Sequence, residues 1–330
     1  MTDKLQDMAD RILAGQRRAL ARGITLVESS RADHREQAKE LLEKIVTSTG
    51  NAVRVGISGT PGVGKSTFIE AFGQHLTAQD LKVAVLAVDP SSKRTGGSIL
   101  GDKTRMEHLA RDPNAFIRPS PSGGTLGGVA RRTRETMLLA EAAGFDVILV
   151  ETVGVGQSET TVAEMVDMFC LLLAPGGGDE LQGIKRGVME LADLVIINKA
   201  DGDLLPAARR AATEYRGALG LMRPKTPHWS PRVRMASAVE GNGIPEVWRD
   251  ITKFRNDMTA AGALEVLRSE QARSWMWQEL TDSLVQALMA DAGVARALPE
   301  WERQVMDGTT TPGAAADALR QMFLDGSRPG

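Results

Sequence analysis

The sequence predicts an α/β fold in which a mainly parallel sheet lies between helix layers, with helical extensions at both ends. Three observations predict it. Between residues 52 and 258 short β-rich runs alternate with helical stretches, the pattern of strands joined by crossover helices. Several of those runs are almost continuously apolar instead of alternating, as strands covered on both faces are. On either side, residues 1–50 and 260–330 place apolar residues at helical spacing only.

In the N-terminal extension, residues 1–50, Leu5, Met8 and Ile12 share one face, and Leu41, Leu42, Ile45 and Val46 form a second stripe. The stripe stops at Thr47–Asn51, a Ser/Thr/Gly/Asn cluster that marks a boundary. The central domain, residues 51–260, carries the candidate strands Val53–Ser58, Lys82–Val88, Ala115–Arg118, Asp146–Val150, Met168–Leu173, Leu194–Ile197 and Val233–Ala236. A C-terminal helical arm, residues 261–330, follows. Leu264, Leu267, Trp275, Leu280, Leu284 and Leu288 recur there at helical spacing, and a shorter helix is expected after Thr309–Pro312. Trp275, Trp277 and Trp301 are three of five tryptophans. They fit either core packing or an interface, where aromatics are favoured.

Composition narrows the class. The 330 residues are 42% apolar and 25% charged, figures of a chain with a real core. The formal net charge is −2 without a long basic run, so neither nucleic acid nor an anionic membrane is expected as a general partner. The single cysteine, Cys170, lies in an apolar run and reads as a buried thiol, and the four histidines lack ligand spacing. The first residues mix acids and bases without an apolar core, and the run Phe169–Pro175 is too short to span a bilayer. A cytoplasmic location is the expectation.

The chemistry begins at Gly59-Thr60-Pro61-Gly62-Val63-Gly64-Lys65-Ser66-Thr67, a gapless G-x-x-x-x-G-K-[ST] between a predicted strand and a predicted helix. That is the context of a phosphate-binding P-loop. The glycines let backbone N–H groups turn inward around the phosphates, and the helix N-terminus favours the same anion. Lys65 reaches the β- and γ-phosphates, and Ser66 ligates Mg²⁺.

The base is read further along. Asn198-Lys199-Ala200-Asp201 ends an apolar strand, where open sheets bind nucleotides. The Asp201 carboxylate accepts from guanine N1–H and the 2-amino group, whereas adenine leaves it desolvated and unpaired. Lys199 lays its stem along the purine, and Asn198 ties neighbouring loops together. Ala236-Ser237-Ala238, at the last strand end, matches the loop that supports guanine O6 in GTPases.

Two more strands run into acids, at Asp89 and at Glu151, which begins Glu-x-x-Gly with Gly154. Acids there hold Mg²⁺ directly or through water; a capping acid is the alternative for each. The Gly154 N–H is placed to bond the γ-phosphate and to release it on hydrolysis. The polar segment Ser91–Arg105 is expected to cover the phosphates. Asp102 is its candidate for positioning magnesium or water, with a solvated loop acid as the alternative. Ser120–Gly128 is a second mobile loop or a long turn. The residue after Gly154 is Val155, with Gln157 two later, so the water-orienting glutamine of Ras-like enzymes is displaced and slow intrinsic hydrolysis is expected.

The assembled sequence resembles the MeaB/ArgK family of GTPases, and its MeaB branch in particular, within the signal-recognition-particle/MinD class of P-loop NTPases. The resemblance covers about Ala19 to Ala290. It rests on ALARGITLVES, GTPGVGKSTFIE, VLAVDPSSKRTGGSILGDKTRM, SGGTLGGVA, ETVGVGQSE and APGGGDELQGIKRGVMELAD ahead of NKAD. It implies a GTPase chaperone that gates adenosylcobalamin loading onto methylmalonyl-CoA mutase and protects that enzyme. It further implies that Gly176–Arg186 signals to the partner, with Asp179, Gln182 and Lys185 as candidates, and that the C-terminal arm makes a homodimer. The alternatives are a GTP-dependent kinase linked to amino-acid transport and a metal-insertion GTPase. The second would be expected to carry a His/Cys cluster.

Overall fold

The structure, a computed structural model, describes residues 2–88, 106–119, 126–152, 157–176 and 186–326. The chain divides into two compact units, Met1–Gln271 and Ala272–Gly330.

The first unit opens with three helices, α1 (Thr2–Leu13), α2 (Arg17–Glu28) and α3 (Ala32–Ile45). They bury Leu5, Ile12, Leu41 and Ile45 of the expected stripes together with Leu20 and Ile24, whereas Val46, expected in the second stripe, is exposed because it lies past the end of α3. The strands follow as β1 (Val53–Gly59), β2 (Val83–Val88), β3 (Ala115–Arg118), β4 (Val147–Thr152), β5 (Met168–Leu173), β6 (Leu194–Ile197) and β7 (Arg232–Met235). Between them run α4 (Lys65–Thr77), α5 (Glu107–Arg111), α6 (Leu126–Ala142), α7 (Gln157–Ala163), α8 (Arg186–Leu191) and α9 (Leu205–Gly220). After the last strand come α10 (Ile244–Ala260) and α11 (Ala263–Ala290).

All seven strands pair in parallel, in the order β3-β2-β4-β1-β5-β6-β7. Alternate residues face opposite helix layers. Val53, Val55 and Ile57 join Met168, Cys170 and Leu172 against Phe68, Phe72, Ile251 and Phe254 on one side. Leu171, Leu173, Val195, Ile197 and Val233 meet Ala208, Ala212 and Tyr215 on the other. Both faces are covered, which is why the strands read as continuous apolar runs. Cys170 is buried at 1% exposure, and burial pushes its thiol well above the usual range.

Four strands differ from expectation: β1 runs on to Gly59, β2 begins at Val83, and β4 and β7 differ at both ends. β4 runs on through Glu151 and Thr152 because both pair with Ala87 and Val88 of β2. β7 begins and ends one residue earlier, because Arg232 pairs with Leu194 and Met235 is the last partner, opposite Ile197.

The second unit holds the rest of α11, then α12 (Ala292–Met306) and α13 (Pro312–Gly326), which pack together over Val294 and Ala315. Asp291 caps α12 by accepting from the Gly293 and Val294 N–H groups at 2.9 Å. Met276, Trp277, Leu280, Leu284 and Val285 of α11 are exposed. No described helix is long and apolar enough to cross a membrane.

Candidate nucleotide site

A parallel sheet brings the carboxyl ends of its strands to one edge. The ends of β1, β4, β6 and β7 therefore lie together there. Chain direction also diverges at the centre: β1 leads toward β2 on one side, and β5 leads to β6 on the other. Such a point opens a crevice where ligands bind in α/β sheets.

The loop from β1 to α4 is shaped by its glycines. Gly59 has φ 157°, and a Cβ there would stand 2.4 Å from Leu172 O. Gly64, at φ 92°, caps α4 in the left-handed region, and a Cβ would stand 2.9 Å from Asn198 Nδ2. Only glycine satisfies both positions. Val63 is buried, while Thr60 and Gly64 are half-buried and Pro61, Gly62 and Thr67 are exposed.

Lys65 is buried at 9% exposure, its Nζ donating to Gly59 O at 2.7 Å and Thr60 O at 3.3 Å. Burial pulls its pKa below the usual lysine range, against the opposing charges of Glu151 and Glu159. A desolvated ammonium folded over the loop is suited to an anion entering it. Ser66 Oγ donates to Glu151 Oε1 at 3.4 Å. This pair of oxygen donors at the start of α4 fits a hard cation such as Mg²⁺. Beside it, Thr152 Oγ1 donates to Ser58 Oγ at 2.8 Å, both residues buried.

The second cluster grips the first. Asn198 Nδ2 donates to Val63 O at 3.0 Å and Gly64 O at 3.4 Å. Lys199 takes a left-handed φ of 56°, and its Nζ donates to Gly62 O at 2.8 Å. Such a backbone costs a non-glycine residue about 1–2 kcal/mol, and the two side chains bind this loop to the phosphate loop. Ser237, fully buried, donates its hydroxyl to Asp201 Oδ2. The Ala200 N–H bonds Ala236 O at 3.0 Å, and the Ala236 N–H bonds Ile197 O at 2.9 Å. Ala236 is buried and Ala238 half-buried. The Asp201 carboxylate is thus held by a neighbouring loop, in reach of a base seated beside Lys199.

The described residues bring together Gly59 to Thr67, Glu151, Asn198, Lys199, Asp201 and Ala236 to Ala238. Asp89, Asp102, Gly154, Asp179, Gln182 and Lys185 lie outside them. Sequence reasoning passed over Glu159, in the first turn of α7, buried at 5% exposure and acting electrostatically on Lys65. The available signal was an acid opening the helix that follows Glu151-x-x-Gly154. It also passed over Ser237 as the group that orients Asp201.

The comparisons with known proteins agree with this geometry. Residues 20–293 match the model of the family described as methylmalonyl Co-A mutase-associated GTPase MeaB. The chain belongs to the MeaB family. A putative GTPase of Caulobacter vibrioides is 56% identical over 97% of this chain and 98% of its own length. GTPase ArgK of Escherichia coli is 50% identical, covering 96% and 95%. The mouse methylmalonic aciduria type A homolog, mitochondrial, is 50% identical over 98% of this chain and 81% of its own length. A solved structure titled LAO/AO transport system kinase is 41% identical, covers 98% of each chain and superposes with a TM-score of 0.77. Like its MeaB-family relatives, the chain is a P-loop GTPase, a fold that implies GTP or GDP binding.

Proposed function

We propose that this GTPase is a chaperone of methylmalonyl-CoA mutase, gating the loading of adenosylcobalamin and protecting the mutase from inactivation. The family match over residues 20–293 carries the reading, since it extends far beyond the nucleotide motifs. The methylmalonic aciduria names of relatives in mouse and in Caenorhabditis elegans support it.

In this reading the phosphates sit on the Gly59–Thr67 backbone, and Lys65 exchanges its loop carbonyls for the β- and γ-oxygens. Ser66 and Glu151, with Asp89 and Asp102, hold Mg²⁺, which when bound supplies charge neutralisation to the phosphates. Gly154 senses the γ-phosphate. Asp201, oriented by Ser237, selects guanine, with Asn198, Lys199 and Ala236 to Ala238 completing the pocket. Val155 follows Gly154 directly, so the attacking water lacks the usual glutamine and hydrolysis is slow until the partner binds. Asp179, Gln182 and Lys185 signal to that partner. The protein works in the cytoplasm as a homodimer through α11.

Phosphate release from GTP, measured with and without purified methylmalonyl-CoA mutase, tests the reading. Turnover below about 0.1 s⁻¹ alone, rising at least tenfold with the mutase, is expected; intrinsic Ras-type hydrolysis is slow on this scale. Unchanged turnover would refute it. The kinase wording of the solved relative is separated in the same assay: label from the γ-phosphate leaves as phosphate in a GTPase and appears on an acceptor in a kinase.

A further inference from the structure

At the edge of the sheet opposite the nucleotide loops, residues 164–167 join α7 to β5. This junction is held unusually well. The Val166 carbonyl accepts from Gln271 Nε2 at 2.8 Å. Asp167 Oδ1 accepts from Arg268 Nε at 2.8 Å, and its Oδ2 accepts from Arg268 Nη2 at 2.7 Å and from the Arg54 N–H at 2.9 Å. Arg268 donates further to Gly50 O and to Ala52 O. Gln271 and Asp167 are both buried, at 6% exposure each. The first turns of α11 therefore grip the end of α7, the start of β1 and the linker to the N-terminal helices at once.

Above this joint α7 is rigidly seated. A Cβ on Gly56 would stand 2.9 Å from Val162 Cγ1 and 3.1 Å from Val166 Cγ2, so the helix lies directly on β1. Helical bonding continues past its end, with Glu164 N–H to Thr160 O at 3.0 Å and Met165 N–H to Val162 O at 3.1 Å. In the first turn of α7 lies Glu159, buried and near enough to Lys65 to act on it electrostatically. Burying a bidentate ion pair contributes little net stability over an apolar pair of the same size, whereas it fixes position. Close-packed elements also shift as bodies instead of deforming.

We propose that α7, residues 164–167 and the root of α11 form one lever by which the nucleotide state is read at α11. The proposal rests on GTP binding at Gly59–Thr67, and it assigns the regulation of that site to Arg268 and Gln271 as positioning residues. The test is hydrogen exchange, followed by mass spectrometry, on the full chain with Mg²⁺ and either GDP or a non-hydrolysable GTP analogue. Nucleotide occupancy is measured fluorometrically in the same samples. Peptides covering residues 263–275 are expected to exchange at least about threefold differently in the two states. Gln271→Met, which keeps the volume but removes the donor, should abolish that difference while both nucleotides still bind. The double variant Asp167→Asn, Arg268→Met should do the same, and Gln271→Met decides alone if circular dichroism shows the double variant unfolded. Equal exchange in the two states with both nucleotides bound overturns the lever and leaves the GTP site standing, as does a persistent difference in Gln271→Met. Failure to bind either nucleotide overturns both.

Discussion

Ser237 turns Asp201 into an oriented acceptor, because its buried hydroxyl fixes one carboxylate oxygen; in the proposed function the other is left for the base. Asp201→Asn should weaken GTP binding by about 30- to 150-fold, the penalty of about 2–3 kcal/mol that a mismatched polar group incurs, and improve xanthosine triphosphate binding, since an amide donates to a 2-oxo group. Fluorescent-nucleotide titration checks it; an unchanged preference would show that Asp201 does not read the base. Motif residues such as Lys65 and Asp201 were legible because their chemistry is written in local spacing. Glu159 and Ser237's bond were not, because the first depends on how α7 lies on β1 and the second on pairing between β6 and β7.

At the scale of the element, the sheet decides what the helices can do. Gly56→Ala places a methyl within 3.1 Å of Val162, Val166 and Phe169, and overpacking of this kind costs about 1–3 kcal/mol. A fall in denaturation midpoint without loss of secondary structure by circular dichroism is the expected result. The edge strand β7 is tied to α10 by Asp250, which is buried and accepts from Arg232 at 2.6 Å and from Arg234 at 2.5 Å. Burial pushes the Asp250 pKa up, but the bonds from Arg234 and Arg232 outweigh it and hold the carboxyl below its usual range. A depressed carboxylate stabilises the fold above its unfolded pKa and loses that contribution as pH falls through the folded one. Asp250→Asn should therefore cost about 1–3 kcal/mol at neutral pH and show a shallower loss of stability on acidification, as urea denaturation at several pH values would reveal. β3, β5 and β6 were bounded correctly from apolar runs alone, whereas β4 and β7 were misplaced by a residue or two, since pairing and not composition ends a strand.

For the whole molecule, the α11 stripe and the nucleotide site set the two remaining expectations. Trp277, Leu280 and Leu284 are 58%, 42% and 54% exposed, and their i, i+3, i+7 spacing gives one apolar face, which fits a second copy of the chain. Light scattering should give a dimer for the wild type and a monomer for Trp277→Glu, Leu284→Glu, with GTP binding retained. Periodicity announced this helix but not its exposure, and the mutase came from resemblance over about Ala19 to Ala290, not from any residue's chemistry. The most direct measurement of the central claim is therefore the rate of adenosylcobalamin loading onto apo-methylmalonyl-CoA mutase in the presence of this protein with GTP, GDP or a non-hydrolysable analogue. The account predicts rates differing at least tenfold between nucleotide states, a dependence that Asp201→Asn removes at matched GTP. Loading at one rate, whatever the nucleotide, would contradict it.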